Sequence, residues 1–267
     1  MEVKKKLYWN WMVFFEYLKI NFLTLIEYKT SFLVGTFGML LNDGASLFFW
    51  WALFKRVGVI NGWNMKDIFT LFSLVTASFG LSTGIFGNTM RLSLMIVQNE
   101  LDFYLTLPKP ALLHLLISKT SFTAFGDIVF GFLAYVLLVG ASLKTFSLFL
   151  IMVVVSSLII VSFSVLVSSF AFYIDTGGQV LQEIIYSLNA LSMYPSSIFP
   201  SGIKVILYTL LPAAFIGYVP TLVIREFSFK YVFILLIALF TFAILGLTLF
   251  NKGLKKYSSG STIGLRS

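Results

Sequence analysis

With 58% hydrophobic, 18% aromatic and only 11% charged residues among 267, and a mean hydropathy of +0.94, the chain has too few polar side chains to cover a soluble globule. Its net charge of +8 therefore reflects topology and contact with anionic lipid headgroups, not nucleic acid, because no basic stripe interleaved with base-stacking aromatics lies outside the apolar runs. Zero cysteines exclude disulfides and thiolate metal sites, and a single histidine, His114, excludes a multi-histidine cluster.

The N-terminal lysines Lys4, Lys5 and Lys6 precede an apolar run that Glu16, Lys19 and Asn21 interrupt, and no small-residue cleavage site follows, so the segment reads as retained. Trp11, Phe14, Phe15, Leu18, Phe22, Leu25 and Ile26 recur at helical spacing, which predicts a helix over 1–29 lying in the membrane interface. A first span is expected over 31–54. It places Asn42 and Asp43 near the bilayer centre, where an acid must face a cavity or partner helix, or be protonated and bonded locally. The polar loop that follows carries Trp63 where an interfacial aromatic belongs. A second span over 67–90 sets Ala77, Gly80, Gly84 and Gly87 on one face, suited to close helix packing.

The stretch over 91–119 is the longest internal segment that a bilayer would reject, at roughly 2.5–3.5 kcal/mol per central charge. Within it Glu100, Leu101, Asp102, Phe103, Tyr104 and Leu105 form an acidic, amphipathic turn that stops at Pro108, the pattern of a short surface helix. Such a helix suits a docking element for a second protein.

A third span over 120–140 carries Asp127, and a fourth over 146–173 is rich in serines that can bond back to their own helix. A tight turn is expected from Asp175 to Gln179, since Gly177 and Gly178 permit positive φ. A fifth span over 181–194 carries Glu183 and Asn189. From 195 to 228 the prolines Pro195, Pro200, Pro212 and Pro220 cut the apolar run, beginning at Tyr194, into pieces too short to cross, which predicts re-entrant helices. A sixth span over 229–250 and a basic tail over 251–267 complete the chain. The lysines and arginines divide in favour of both termini in the cytosol, which puts the polar stretch at 91–119 inside and the proline-broken pieces outside.

Taken together, Glu27-Tyr28-Lys29, Gly62-Trp63, the Glu100-Leu101-Asp102 unit with Leu105 and Pro108, Tyr194-Pro195, Phe199-Pro200, Pro212, Tyr218-Val219-Pro220 and Gly253 to Tyr257 occur in an order that resembles the permease subunit of ABC-2 type ATP-binding-cassette exporters. The resemblance is to the six-span subfamily of about 260 residues. One departure is Asn99, where that family usually has glycine. The resemblance implies an all-α integral membrane protein with six transmembrane helices, an N-terminal interfacial helix, a cytosolic coupling helix and outer re-entrant helices. It further implies that Glu100 to Leu105 and Pro108 contact a separate ABC ATPase subunit that binds ATP and Mg, this chain holding no cofactor. It implies a second permease, a copy or a paralogue, met through the first and fifth spans. Asn42, Asp43, Glu183 and Asn189 then become pathway or interface groups, and Tyr194, Pro195, Pro200, Pro212 and Pro220 an outer gate.

No Gly-x-x-x-x-Gly-Lys-[Ser/Thr] segment is present to cradle a triphosphate, so an ATP enzyme in its own right is not expected. An ion-coupled secondary carrier would use Asp43, Asp127 or Glu183 as relays but lacks an internal repeat, and an intramembrane aspartyl protease would need Asp43 and Asp127 to converge at depth.

Overall fold

The structure is a computed structural model that describes residues 2–107, 110–140, 142–174 and 177–257, with side chains from residue 12 onward. Pro108, part of the turn expected at Asp175 and Thr176, and the last ten residues of the tail lie outside the described residues. Among those described, every regular element is helical.

Helix α1 (Glu2–Glu27) runs to Tyr28, where the backbone leaves helical geometry for one residue, and α2 (Lys29–Val57) begins at once. At 1.5 Å per residue α2 is roughly 43 Å long, ample for a hydrocarbon core of about 30 Å. Most of its large apolar side chains are exposed, Leu33, Val34, Phe37, Leu41, Phe48 and Phe49 among them, and only Asp43, Leu47, Trp50 and Phe54 are buried. Asn64 opens α3 (Met65–Ile85) with a capping box, its side chain accepting from the Asp67 amide while the Asp67 carboxylate accepts from the Asn64 amide. This helix is the centre of the bundle and is buried on all sides from Asp67 to Gly80. It ends earlier than the span expected over 67–90: residues 86–91 are turns, so Gly87 does not belong to the helix face assigned to it.

Three short helices follow, α4 (Leu92–Val97), α5 (Leu101–Leu105) and α6 (Ala111–Ile117). The third span starts at Ala124 rather than 120: α7 (Ala124–Ala134) continues as a π-helical turn, Tyr135–Val139. Then come α8 (Leu143–Ser168), extended by a 3₁₀ turn to Phe172, and α9 (Gly178–Ser192). The proline-rich stretch folds as α10 (Ser201–Thr209), a π-helical turn (Ala214–Tyr218) and α11 (Val219–Arg225), the two arms bent by 78°. Last is α12 (Phe229–Leu254), four residues longer than the 229–250 expected.

Four of these helices are long and apolar enough to cross a bilayer alone, those beginning at Lys29, Met65, Leu143 and Phe229, and the bent pair brings the total to five if it counts as one span. Against the expectation of six full spans, α7 with its π turn has 16 residues and α9 has 15, about 24 and 22 Å. The chain is thus an all-α, multi-pass membrane protein in which two of the rods are short. The small residues explain the tight packing at the centre. A side-chain carbon on Gly80 would sit 2.8 Å from Asp127 Cβ, and one on Gly131 would sit 2.6 Å from the Ser73 carbonyl oxygen, so α3 and α7 touch backbone to backbone.

Candidate functional site

The polar segment folds as a small platform at one end of the bundle. Its turn from α4 to α5 pivots on Asn99, whose φ of 60° lies in the left-handed region. Asparagine, like glycine, tolerates that conformation and a β-branched residue does not. Asn99→Gly is expected to leave thermal stability within about 0.5 kcal/mol, and Asn99→Val to lower it by roughly 1–2 kcal/mol, as a melting series in detergent would read. The turn is fixed further by the Glu100 amide donating to the Met95 carbonyl at 3.0 Å and by an Arg91–Glu100 ion pair at 3.0 Å.

Within α5 the side chains divide by direction. Leu101 is fully buried; Tyr104 turns inward and pairs its hydroxyl with Ser118 at 2.9 Å. Asp102 accepts a 2.9 Å hydrogen bond from the Tyr257 hydroxyl, tying α5 to the residues just after α12, and burial together with that carboxylate holds the Tyr257 phenol well above its ordinary range. Phe103 and Leu105 face away from the protein, 66% and 41% exposed. The Phe103 ring meets that of Tyr104 edge-on at 5.3 Å and is otherwise left largely in the open, on a turn flanked by Glu100, Asp102 and Thr106.

The base of the platform is stitched shut by contacts between residues far apart in the chain. The Gly87 amide donates to the Lys119 carbonyl at 3.0 Å, the Ser121 amide to Thr83 at 3.2 Å, and the Thr120 hydroxyl to Gly84 at 2.9 Å. Buried Asn88 donates from its amide nitrogen to the Leu115 carbonyl (2.7 Å) and the Ser118 hydroxyl (2.9 Å). Helix α1 joins the same structure: the Tyr17 hydroxyl and His114 Nδ1 are 2.9 Å apart, and the Asn21 side chain donates to Ile117 at 3.0 Å. The polar residues bordering an apolar run, Asn88 and Asn21, were the available signal.

Inside the bundle Asp43 is 3% exposed and faces Asp127 across the α2–α7 contact, a pairing of two acids 84 positions apart in the chain. Their approach rests on Gly126, which lies against the Thr36 carbonyl and Met39, and on Gly80 beneath Asp127. Asn42 is exposed, with its side chain in hydrogen-bond contact with Asp43. Glu183 is exposed on α9, and Asn189 is half-buried with its side-chain oxygen unpartnered. No ion pair among the described residues involves Asp43 or Glu183. The four residues expected to share a pathway or interface therefore divide into an inward acid, Asp43, and an outward or half-buried set.

The opposite end of the bundle carries the proline-broken segment. Pro195 and Pro200 occupy the N-cap positions of a 3₁₀ turn and of α10, Pro212 stands at the bend between the arms, and Pro220 follows the π-helical turn directly, where the Ser156 hydroxyl donates to the Ile216 carbonyl that a proline at 220 cannot reach. Tyr194 meets the ring of Trp50 at 5.5 Å and that of Phe199 at 6.3 Å. Trp63, in the loop just before α3, is 2% exposed and stacked on Tyr218 at 5.2 Å. It anchors the first loop beneath the bent arms, with Arg225 bridging to Asp67 (3.4 Å) and to the Gly62 carbonyl (3.2 Å).

No curated protein and no solved structure matches the chain at a meaningful level. The family model described as ABC-2 family transporter protein matches residues 40–261, which takes in everything from the middle of α2 to the tail. With an all-helical bundle of membrane-length apolar helices and that match in hand, the chain belongs to the ABC-2 family of transporter proteins, as a permease.

Proposed function

We propose that this chain is the membrane subunit of an exporter driven by a separate ABC ATPase, and that α5 is the part seated in that ATPase. The observation that carries the reading is the outward Phe103–Leu105 edge on a platform otherwise locked to the bundle. An element built to transmit force needs a rigid base and an apolar tip, since hot spots at interfaces are desolvated anchors on well-supported positions. Pro108 follows α5 in sequence and belongs to the same proposal. ATP and Mg are held by the partner, as this chain offers no phosphate loop.

The mechanism runs from residues already described. Closure of two ATPase subunits pushes α5; the Gly87–Lys119 base and the Tyr17–His114 contact pass the displacement to α3, α7 and α1; the bundle rocks and the bent arms around Pro212 open on the far side. A second permease, identical or related, covers the face of α2 that bears Asn42 and the face of α9 that bears Glu183, because an exposed glutamate on a membrane helix is tolerated only toward water or protein. In this orientation the protein sits in the cell membrane with both termini and α5 in the cytosol.

Co-expression with the ATPase subunit and purification in mild detergent tests the assignment. The permease is expected to bring down the ATPase and to show no ATP hydrolysis alone. Hydrolysis by the permease by itself, or ion-gradient-driven flux through it in liposomes without any ATPase, would overturn the reading, the second in favour of Asp43 and Asp127 as relays.

A further inference from the structure

Between α8 and α12 a cleft of about 520 Å³ opens on the surface of the bundle. Its walls are two helical stripes, one from Phe163 to Phe170 and the other from Phe242 to Lys252, and its floor is set where Gly246 lies against the Ser162 carbonyl and Gly253 against Phe172. The two helices run in the same direction, meeting through Phe163 and Phe242 at one level and through Phe172 and Phe250 further along. Phe242 is the midpoint of α12. Thr209 and Leu210, at the bend between the two arms, line the cleft as well, and Lys252 ends its α12 side.

Length and charge together identify the occupant. From Phe242 to Lys252 the cleft runs ten residues, about 15 Å, which is half of a hydrocarbon core of roughly 30 Å. It therefore extends from mid-membrane to one surface, as one chain of one leaflet does. At that surface, on the same side as α5, Lys252 is exposed and takes part in none of the ion pairs among the described residues. Lys255 and Lys256 stand beside it, the latter over the Tyr173 ring at 4.7 Å. An apolar slot ending in an uncompensated cation complements an anionic lipid.

We propose that this cleft holds one acyl chain of an anionic phospholipid from the leaflet on the α5 side, with its phosphate at Lys252. The chain end then lies under Thr209 and Leu210, so the lipid props the tip of the bent arms from within the membrane.

Native mass spectrometry of the delipidated full-length permease, titrated with phosphatidylglycerol or phosphatidylcholine, tests this. One tightly held phosphatidylglycerol is expected, in preference to phosphatidylcholine. Lys252→Gln should cut that preference about fivefold, and Lys230→Gln, at the other end of α12, should not change it. Leu245→Trp, which fills the cleft from a lipid-facing position, should remove binding of both lipids. The proposal is overturned if Lys252→Gln keeps the full preference or if the Leu245→Trp protein holds lipid as before. It is equally overturned if Leu249→Cys, in a chain with no other cysteine, cross-links efficiently to a second copy, because the cleft would then be covered by protein.

Discussion

Phe103→Asp is expected to break the complex with the ATPase subunit while leaving the permease folded. The side chain is 66% exposed and its ring contact is with the adjacent Tyr104, so little packing is lost within this chain, and a carboxylate at that position is largely hydrated before docking. On docking, that charge has to be desolvated in a pocket shaped for a ring. Truncation of an aromatic anchor commonly costs 2 kcal/mol or more, so affinity should fall at least about 30-fold. Two controls separate interface from fold. Leu101→Asp, at a fully buried position, should unfold the platform and lower the melting temperature, whereas Phe103→Asp should leave it unchanged. Equal affinity for wild type and Phe103→Asp, measured with both proteins folded, would remove α5 from the coupling role.

What the sequence made legible was chiefly one-dimensional. Hydropathy separates lipid-embedded runs from the polar stretch, and prolines mark where helices cannot continue, so the platform and the bent arms are visible without coordinates. The acidic, apolar-edged turn at Glu100 to Leu105 also follows from side-chain order, because a five-residue helix has an inside and an outside fixed by local spacing. Contacts across the fold were not legible. Nothing near Trp63 announces Tyr218, and an indole at the end of an apolar run looks the same whether it meets headgroups or another ring. Asp43 and Asp127 were each recognisable as acids out of place, yet their meeting depends on Gly80 and Gly126 drawing three helices together. Gly87 was misplaced for a related reason. Small residues at helical spacing fit a helix face, and only the hydrogen bonds from the Gly87 amide to Lys119 and from the Asn88 amide to Leu116 show that the chain has already left α3.

Gly87 is also where the second large effect is expected. A side-chain carbon there would lie 2.1 Å from the Lys119 carbonyl oxygen, 2.5 Å from its carbon and 2.8 Å from Thr120 Cα. All three are backbone atoms, so no rotamer change relieves the overlap, and the strands of chain entering and leaving the platform have to part. Parting them breaks the Gly87–Lys119 hydrogen bond and strains those made by Asn88 and Thr120. Overpacking costs about 1–3 kcal/mol and the lost bond about 1 kcal/mol more, so Gly87→Ala should destabilise the permease by roughly 2–4 kcal/mol. Gly84→Ala is the matched comparison, because its added carbon meets Ala124 and Ile128 side chains at 3.5 and 3.6 Å, an ordinary contact distance. Melting of the two variants in one detergent should separate them clearly. If Gly87→Ala still assembles with the ATPase, ATP hydrolysis should continue with little transport, since a loosened base lets α5 move without carrying the bundle along. Identical melting of both variants, or tight coupling in Gly87→Ala, would mean that force reaches the membrane by some route other than the base of the platform.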